Sequence, residues 1–263
     1  MITSIPARYE LVTGSGANTI KLNIYNNKER LDNNNIKFVK IANYLMKNIP
    51  ILDNFMPDYH EDPIYINNEI QYYYRFFYNF QNLMYIQAKT GEMTYKYDIN
   101  RAYLTMLSPF LDDDKFEYFY KYKEDFVKAV GFTAYRYYIK DVITNEIIAL
   151  QNAKRPDILN FCVEALNYIK DCLFNDLGNM INFYYIDCTG FNIEIYEALE
   201  RFNEYLTLYL ESFYKNNGID TKRMKKVTVK FEGSYKITYK EGIYYLGEHP
   251  FFAMNGNKLR NFF

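Results

Sequence analysis

Residues 93–107, MTYKYDINRAYLTML, constrain the fold of this chain more than any other stretch. Met93, Tyr95 and Tyr97 alternate with Thr94, Lys96 and Asp98, the period of two that a β-strand imposes. The pattern then gives way to Ala102, Tyr103, Leu104 and Met106 at helical spacing. A strand that ends in a carboxylate and turns at once into a helix has two uses. Asp98 either caps the helix, or points a metal ligand into a cleft at the end of the strand.

Residues 180–187, MINFYYID, repeat the arrangement, with Ile181, Phe183, Tyr185 and Asp187 on one face of a second strand. Cys188-Thr189-Gly190 then reads as a tight turn, and Phe191 to Ile193 as a return strand. Between the two acids, Arg155-Pro156-Asp157 opens a helix over 156–175, with proline at its first turn. Ile158, Cys162, Ala165, Leu166, Ile169, Cys172 and Leu173 share its apolar face, which places Cys162 and Cys172 in the core. With both strands in one sheet, Asp98 and Asp187 meet at one edge, where a two-metal phosphoryl-transfer site would hold its ions.

The remaining elements complete an α+β pattern. Residues 8–26 read as two strands around Gly14-Ser15-Gly16, a turn and not a phosphate loop, because no Gly-Lys-Ser/Thr follows. Ile36 to Met46 reads as an amphipathic helix that stops before Pro50. Pro57 to Asn68 reads as polar connection, followed by the aromatic block 72–78. Leu83 to Ala88 is a strand, and Lys89-Thr90-Gly91-Glu92 a hairpin turn into residue 93. Asp112-Asp113-Asp114 reads as a solvated loop or helix start, since successive side chains diverge. Gly131 to Leu150 reads as a hairpin turning at Thr144-Asn145. Ile195 to Phe213 forms a long amphipathic helix closed by Gly218. Strands follow at 227–231, 235–239 and 243–245, separated by glycine turns. An antiparallel sheet with helices packed on one face accounts for this order. No internal repeat or domain linker interrupts it, so one continuous α+β unit is expected, with an N-terminal extension at 1–82 and a main body at 83–263.

Composition excludes several classes. The formal net charge of -1 rules out electrostatic nucleic-acid binding by the molecule as a whole, so any such surface is local. Cys162, Cys172 and Cys188 form no CxxC pair, and only His60 and His249 could join them, which argues against structural zinc and suits a reducing compartment. No secretory leader opens the sequence, and no apolar run reaches the roughly 18 residues of a membrane span, so a cytoplasmic protein with no membrane partner is expected. The 30 tyrosines and 21 phenylalanines, with no tryptophan, are what an AT-rich genome encodes together with Asn, Lys and Ile. A phage, plasmid or low-GC bacterial source fits, with a bacterial host cytoplasm as the location if the chain is phage-encoded.

The two acidic stretches carry a resemblance. YDINRAYLTML resembles the first palm motif of family-B DNA polymerases, Asp-x-x-Ser-x-Tyr-Pro-Ser, and YYIDCTGFNI resembles their motif Tyr-x-Asp-Thr-Asp-Ser. RPDILNFCVEALNYIKDCLF is similar to the helix before the second motif, particularly in the protein-primed phage and linear-plasmid branch. KFEGSYKITYKEGIYYLGEHPFFAMNGNKL resembles the strands after it, whose lysines face the primer terminus in that branch. The resemblance covers about residues 83 to 260, and it implies a polymerase-palm-like antiparallel sheet. It places Asp98 and Asp187 as remnant catalytic and metal-binding acids for Mg2+ or Mn2+. Tyr103 falls at the tyrosine under the incoming sugar, and Arg101, beside it in the nucleotide-binding motif, replaces the motif's serine.

The departures point away from catalysis. Thr189 stands where the second motif acid belongs, Gly190 replaces its serine and Leu104 the proline of the first motif. A threonine brings no negative charge, so one of two divalent ions would lose its main anchor. No Lys-x-x-x-Asn-Ser-x-Tyr-Gly stretch lies between the acids, no exonuclease region precedes residue 83 and no thumb-sized segment follows. A basic C-terminal stretch remains, with Lys225, Lys226, Lys230, Lys236, Lys240 and Lys258 interleaved with Phe231, Tyr235, Tyr239, Tyr244 and Tyr245, as in surfaces that track a phosphate backbone and stack bases. A lysine-rich sheet edge that discourages pairing looks the same. The expectation is a degenerate palm that requires no cofactor and binds single-stranded or primer-template DNA, or a replication protein, without polymerising. Two alternatives stay open: an active split polymerase whose fingers come from a second subunit, with metals on Asp98, Asp187 and Glu194, and a palm fold reused as a scaffold.

Overall fold

The computed structural model describes residues 9–13, 20–24, 37–66, 69–135, 137–141 and 143–253. Residue–residue contacts divide the chain into two compact units, one of 1–78 with 110–162 and one of 79–109 with 163–263. The start of the second lies close to the expected boundary at 82/83, but residues 110–162 cluster with the first unit. Gly14-Ser15-Gly16 and Lys258 lie outside the described residues. Among the described residues no helix is long and apolar enough to cross a membrane.

The first unit has a four-stranded antiparallel sheet in the order β2-β1-β7-β8, built from β1 (Tyr9–Thr13), β2 (Ile20–Ile24), β7 (Tyr137–Asp141) and β8 (Ile147–Gln151). Helix α1 (Lys37–Asn48) buries Phe38, Ile41, Ala42 and Leu45, an i, i+3, i+4, i+7 stripe, and packs on the later helix Lys123–Ala134. Asp112 caps the helix Asp113–Lys121 by accepting from the Lys115 N–H, so the acidic run is a helix start. Gly131 belongs to the helix ending at Ala134, and the hairpin of this region is confined to β7 and β8. Tyr59–Ile66 (β3) and Glu69–Phe76 (β4) pair as a two-stranded ribbon. The first of these strands was expected as connection, because its residues are polar and Pro63 interrupts them; Pro63 is tolerated in an edge strand that needs no donor on its outer side.

Arg155 and Asp157 hold this unit together where the long helix Pro156–Leu177 begins. The Arg155 guanidinium donates to the carbonyls of Met46 and Ile49 at 3.1 and 2.9 Å and to that of Pro50 at 2.6 Å, closing the end of α1. It also ion-pairs with Asp157 at 2.7 Å, and Asp157, 1 % exposed, accepts the Leu52 N–H. Each charge is thus paired and hydrogen-bonded, the condition under which buried ions are tolerated.

The second unit is a seven-stranded antiparallel sheet in the order β13-β12-β11-β6-β10-β9-β5. Its strands are β5 (Met84–Ile86), β6 (Met93–Ile99), β9 (Ile181–Tyr185), β10 (Cys188–Phe191), β11 (Val229–Lys240), β12 (Ile243–Leu246) and β13 (His249–Ala253). The fold is α+β with an antiparallel sheet, as expected, and four local expectations change. Residues 89–92 do form a turn, but β5 pairs with β9 while β6 pairs with β10 and β11, so no β5–β6 hairpin exists. The β9–β10 turn is Ile186-Asp187, not Cys188-Thr189-Gly190, which is strand. Gly233 is a bulge, at φ 141°, inside one long β11 and not a turn between two strands. Cys162 is fully buried as expected, whereas Cys172 is only half-buried.

Alternation separates the two faces of this sheet. Tyr97 and Ile99 of β6, Phe191 of β10 and Tyr184 of β9 face helices, with Phe191 against Phe202 of the helix Leu199–Asn216 and Tyr184 against Phe174. The other face carries a cluster of strand and turn residues, Ala88, Phe183, Tyr185, Cys188, Ile237 and Leu246. Replacing Arg155 by Ala is expected to cost about 3–5 kcal/mol, because it leaves the Asp157 carboxylate buried without its cation, and is measured as a fall in the urea midpoint.

Candidate functional site

Asp98 is the penultimate residue of the central strand β6, and both neighbouring strands fix it. Cys188 of β10 lies opposite it on one side and Lys230 of β11 on the other. Residues directly opposite in a ladder share a face, so Asp98, Cys188 and Lys230 lie together on the side away from the helices. Asp187, in the β9–β10 turn, joins them, and its carbonyl accepts the Ile99 N–H at 2.9 Å. The ligand atoms of Asp98, Asp187 and Cys188 all lie within 4.8 Å of one another. Asp98 is not the cap of the following helix; that position is Arg101, in a left-handed conformation without a side-chain cap bond.

The Cys188 thiol lies between the carboxylates, donating to Asp98 Oδ1 at 3.0 Å and reaching Asp187 Oδ1 at 3.7 Å. Burial, then the Asp187 and Asp98 charges, push this thiol well above its ordinary range, against a smaller opposing pull from Lys96. It is therefore a neutral donor and not a nucleophile. Lys96 shares the face of Asp98 by alternation. Lys230 has its pKa raised by its hydrogen bond to Glu232, with Asp98 contributing. Two lysines thus share the sheet face of Asp98 and Cys188. Sequence reasoning passed over Lys96 and Cys188, although the alternation of β6 already set Lys96 beside Asp98.

Thr189 does not belong to this cluster. It lies opposite Tyr97 and Tyr184, on the helix-covered face, and is 4 % exposed. An acid at 189 would therefore be buried among aromatic rings instead of joining Asp98. Gly190 returns to the open face opposite Lys96, and the Phe183 ring fills the space above it: a Cβ there would lie 2.1 Å from Phe183 Cε1 and 2.6 Å from Thr94 Oγ1. Glycine is required here by packing, not by a turn. Glu194 is exposed beyond the opposite end of β10, where its charge acts on the Tyr97 hydroxyl, and is not brought to Asp98.

The other expected residues are dispersed. Arg101 donates to Asn100 Oδ1 at 3.0 Å, and Tyr103 is half-buried in the short helix Ala102–Met106. Lys226, Lys230, Lys236 and Lys240 are exposed and Lys225 is half-buried. The bulge at Gly233 shifts the alternation of β11: Lys230 lies opposite Asp98, but Lys236 lies opposite Met93 on the other face, and Lys240 follows it. The basic residues of β11 therefore do not form one stripe.

For a divalent ion the fit is partial. Asp98 and Asp187 supply two hard oxygen donors, enough for Mg2+ or Mn2+ that keeps waters or takes phosphate oxygens. The third donor is a protonated thiol, which a hard ion does not favour. Among the described residues no third acid joins the cluster, and two carboxylates can hold one such ion but do not bracket a pair. No family model, curated protein or solved structure matches this chain.

Thr189→Asp is expected to destabilise the protein without raising its affinity for Mn2+, measured by urea melting and by manganese titration. Gly190→Ala is expected to cost about 1–3 kcal/mol through overpacking. Combined with Phe183→Ala it should cost less than the two single changes together, because the second removes the ring that the new methyl meets.

Proposed function

We propose that the second unit is a degenerate, polymerase-palm-like module that binds DNA or a replication partner without extending a primer. The observation that carries this reading is the meeting of Asp98 and Asp187, distant in sequence, on one antiparallel sheet, on the face opposite that of Tyr97 and Thr189. The chain order around them, a strand, a long helix, the β9–β10 hairpin and a second long helix, supports the same reading. The same site supports the loss of catalysis. Its motif position 189 is a buried threonine on the other face, and Lys96 and Lys230 supply positive charge where a second cation would otherwise be needed.

On this reading the acid pair holds no more than one divalent ion, and Asp98 would be its main ligand. Lys230, on the same face and exposed, would meet a phosphate backbone, together with Lys226 before it in the chain. Phosphate contacts of this kind release counterions, so binding falls steeply with salt.

Primer extension with Mg2+ or Mn2+ is the test. The expected outcome is no template-dependent incorporation, together with binding to primer-template DNA at low salt that weakens about 10-fold or more between 50 and 200 mM salt. Incorporation that Asp98→Ala abolishes would instead establish the active alternative. Absence of DNA binding even at low salt would leave the palm as a scaffold.

A further inference from the structure

β4 spends one edge on β3 and turns the other away from it. In an antiparallel strand each residue directs its N–H and C=O to one side, and successive residues alternate. Phe77 donates its N–H to the Asp58 carbonyl at 2.8 Å, toward β3, so Tyr72, Tyr74 and Phe76 direct theirs to the outer edge. Asn152 already pairs with that edge. Its Oδ1 accepts the Tyr74 N–H at 2.8 Å and its Nδ2 donates to the Tyr72 carbonyl at 3.1 Å, so one flat carboxamide spans a C=O/N–H pair of the strand. The next equivalent pair, the Tyr74 C=O and the Phe76 N–H, has no partner among the described residues. A cavity of about 420 Å³ lies there, lined by Tyr74, Arg75, Phe76, Phe77, Tyr78 and Tyr135. Residues from both faces of β4 line it, so it opens on the strand's outer edge. The Tyr78 hydroxyl donates to the Ala134 carbonyl at 2.8 Å and its ring meets Tyr135 edge-on at 6.0 Å, which ties this wall to the end of the helix Lys123–Ala134.

We propose that this cavity binds a nucleobase, paired to the edge of β4 at Tyr74 and Phe76. A base sets a donor N–H beside an acceptor oxygen or ring nitrogen, spaced as in a carboxamide, so it can donate to the Tyr74 carbonyl and accept from the Phe76 N–H as Asn152 does one step earlier. Alternation puts Tyr74 and Phe76 on one side of that edge and Arg75 on the other. A ring bonded to the edge therefore meets aromatic side chains on one face and a guanidinium on the other, the two surfaces on which bases stack. An extended peptide does not fit, because Asn152 occupies the preceding pair and the edge offers a single C=O/N–H step to the cavity. A lone carboxamide fits the step but leaves the rings and most of the volume unused, whereas cavities of roughly 300–1,000 Å³ suit ring-sized ligands. Asp62 holds Arg75 at 2.6 Å, so the guanidinium offers a stacking plane more than a free positive charge for phosphate. The recognised part is the base, which a free nucleoside and an unpaired position of a single strand present alike. The site lies wholly in the first unit and does not depend on Asp98 or on the palm reading of the second.

The test is calorimetric titration of the full chain with thymidine and with a short oligothymidylate. Binding is expected with a dissociation constant of about 1 mM or tighter. Thymidine methylated on its ring N–H has lost the donor to the Tyr74 carbonyl, and should bind about 10-fold more weakly or worse. Phe77→Ala removes a lining ring that is 55 % exposed, so the thermal melt should be unchanged while binding weakens about 5-fold or more. The oligonucleotide separates the two sources of the base: the same loss on Phe77→Ala places an unpaired base of a strand in the cavity, and no loss beside a sensitive thymidine assigns the cavity to the free nucleoside. Thymidine that does not bind together with oligonucleotide binding indifferent to Phe77→Ala, or equal affinity for thymidine and its methylated derivative, overturns the proposal.

Discussion

Cys188 sits opposite Asp98 in the β6–β10 ladder, and this one pairing determines what the second unit can do. Side chains alternate across a strand, so the register that brings Cys188 to Asp98 also sends Thr189 to the far face with Tyr97. A slip of one residue would exchange them, placing position 189 beside the acid and Cys188 among the helix-facing rings. The register is held from both sides. Asp187 accepts from Ile99 at one end, and at the other Gly190 fits beneath Phe183 where no larger residue could. The strand β6 is itself central, hydrogen-bonded along its length to β11, so its faces are fixed independently of β10.

The sequence shows the strands more clearly than it shows their register. Met93 to Asp98 and Ile181 to Tyr185 alternate plainly, and the helices Pro156–Leu177 and Leu199–Asn216 carry apolar stripes that name their buried faces. The turn between β9 and β10 was misplaced because its signals are misleading. Gly190 looks like a turn residue and is a packing residue, while the turn is made by Ile186, a β-branched residue at φ 54° that no turn preference would select. The same error hid the role of Cys188, since a cysteine within a turn has no fixed face. At Gly233 the confusion ran the same way, with a glycine taken as a chain reversal where it only bulges one strand. β3 is illegible for a different reason: its two inward apolar residues, Ile64 and Ile66, stand among polar ones and beside Pro63, so no clear alternation marks the strand.

Electrostatics makes the acid pair stable without requiring it to be active. Two carboxylates this close repel unless something positive or proton-donating lies between or beside them. The Cys188 S–H supplies the hydrogen bond, and Lys96 and Lys230 supply charge on the same face. Glu232 in turn holds Lys230, so the positive charge is shared between a carboxylate at the site and one outside it. These groups do for the resting fold part of what a cation would do. An ion entering here would have to displace a donated proton and compete with the field of two lysines, which lowers the affinity expected from the two acids alone.

On the proposed palm reading, the departures at Thr189 and Gly190 are consequently not independent features that one change could reverse. Thr189 fills a position on the helix-covered face where a charge has no partner, and Gly190 leaves room for a phenylalanine that has become part of the cluster joining β5, β9, β10 and β11. An acid at 189 would reach the open face only if β10 shifted register, and that shift would carry Gly190 out from under Phe183 and Cys188 away from Asp98. The packing of the sheet thus opposes the arrangement that two-metal chemistry would need. The approach of Asp98 to Asp187 does not depend on that packing, because both sit where the backbone of β6 and the β9–β10 turn hold them.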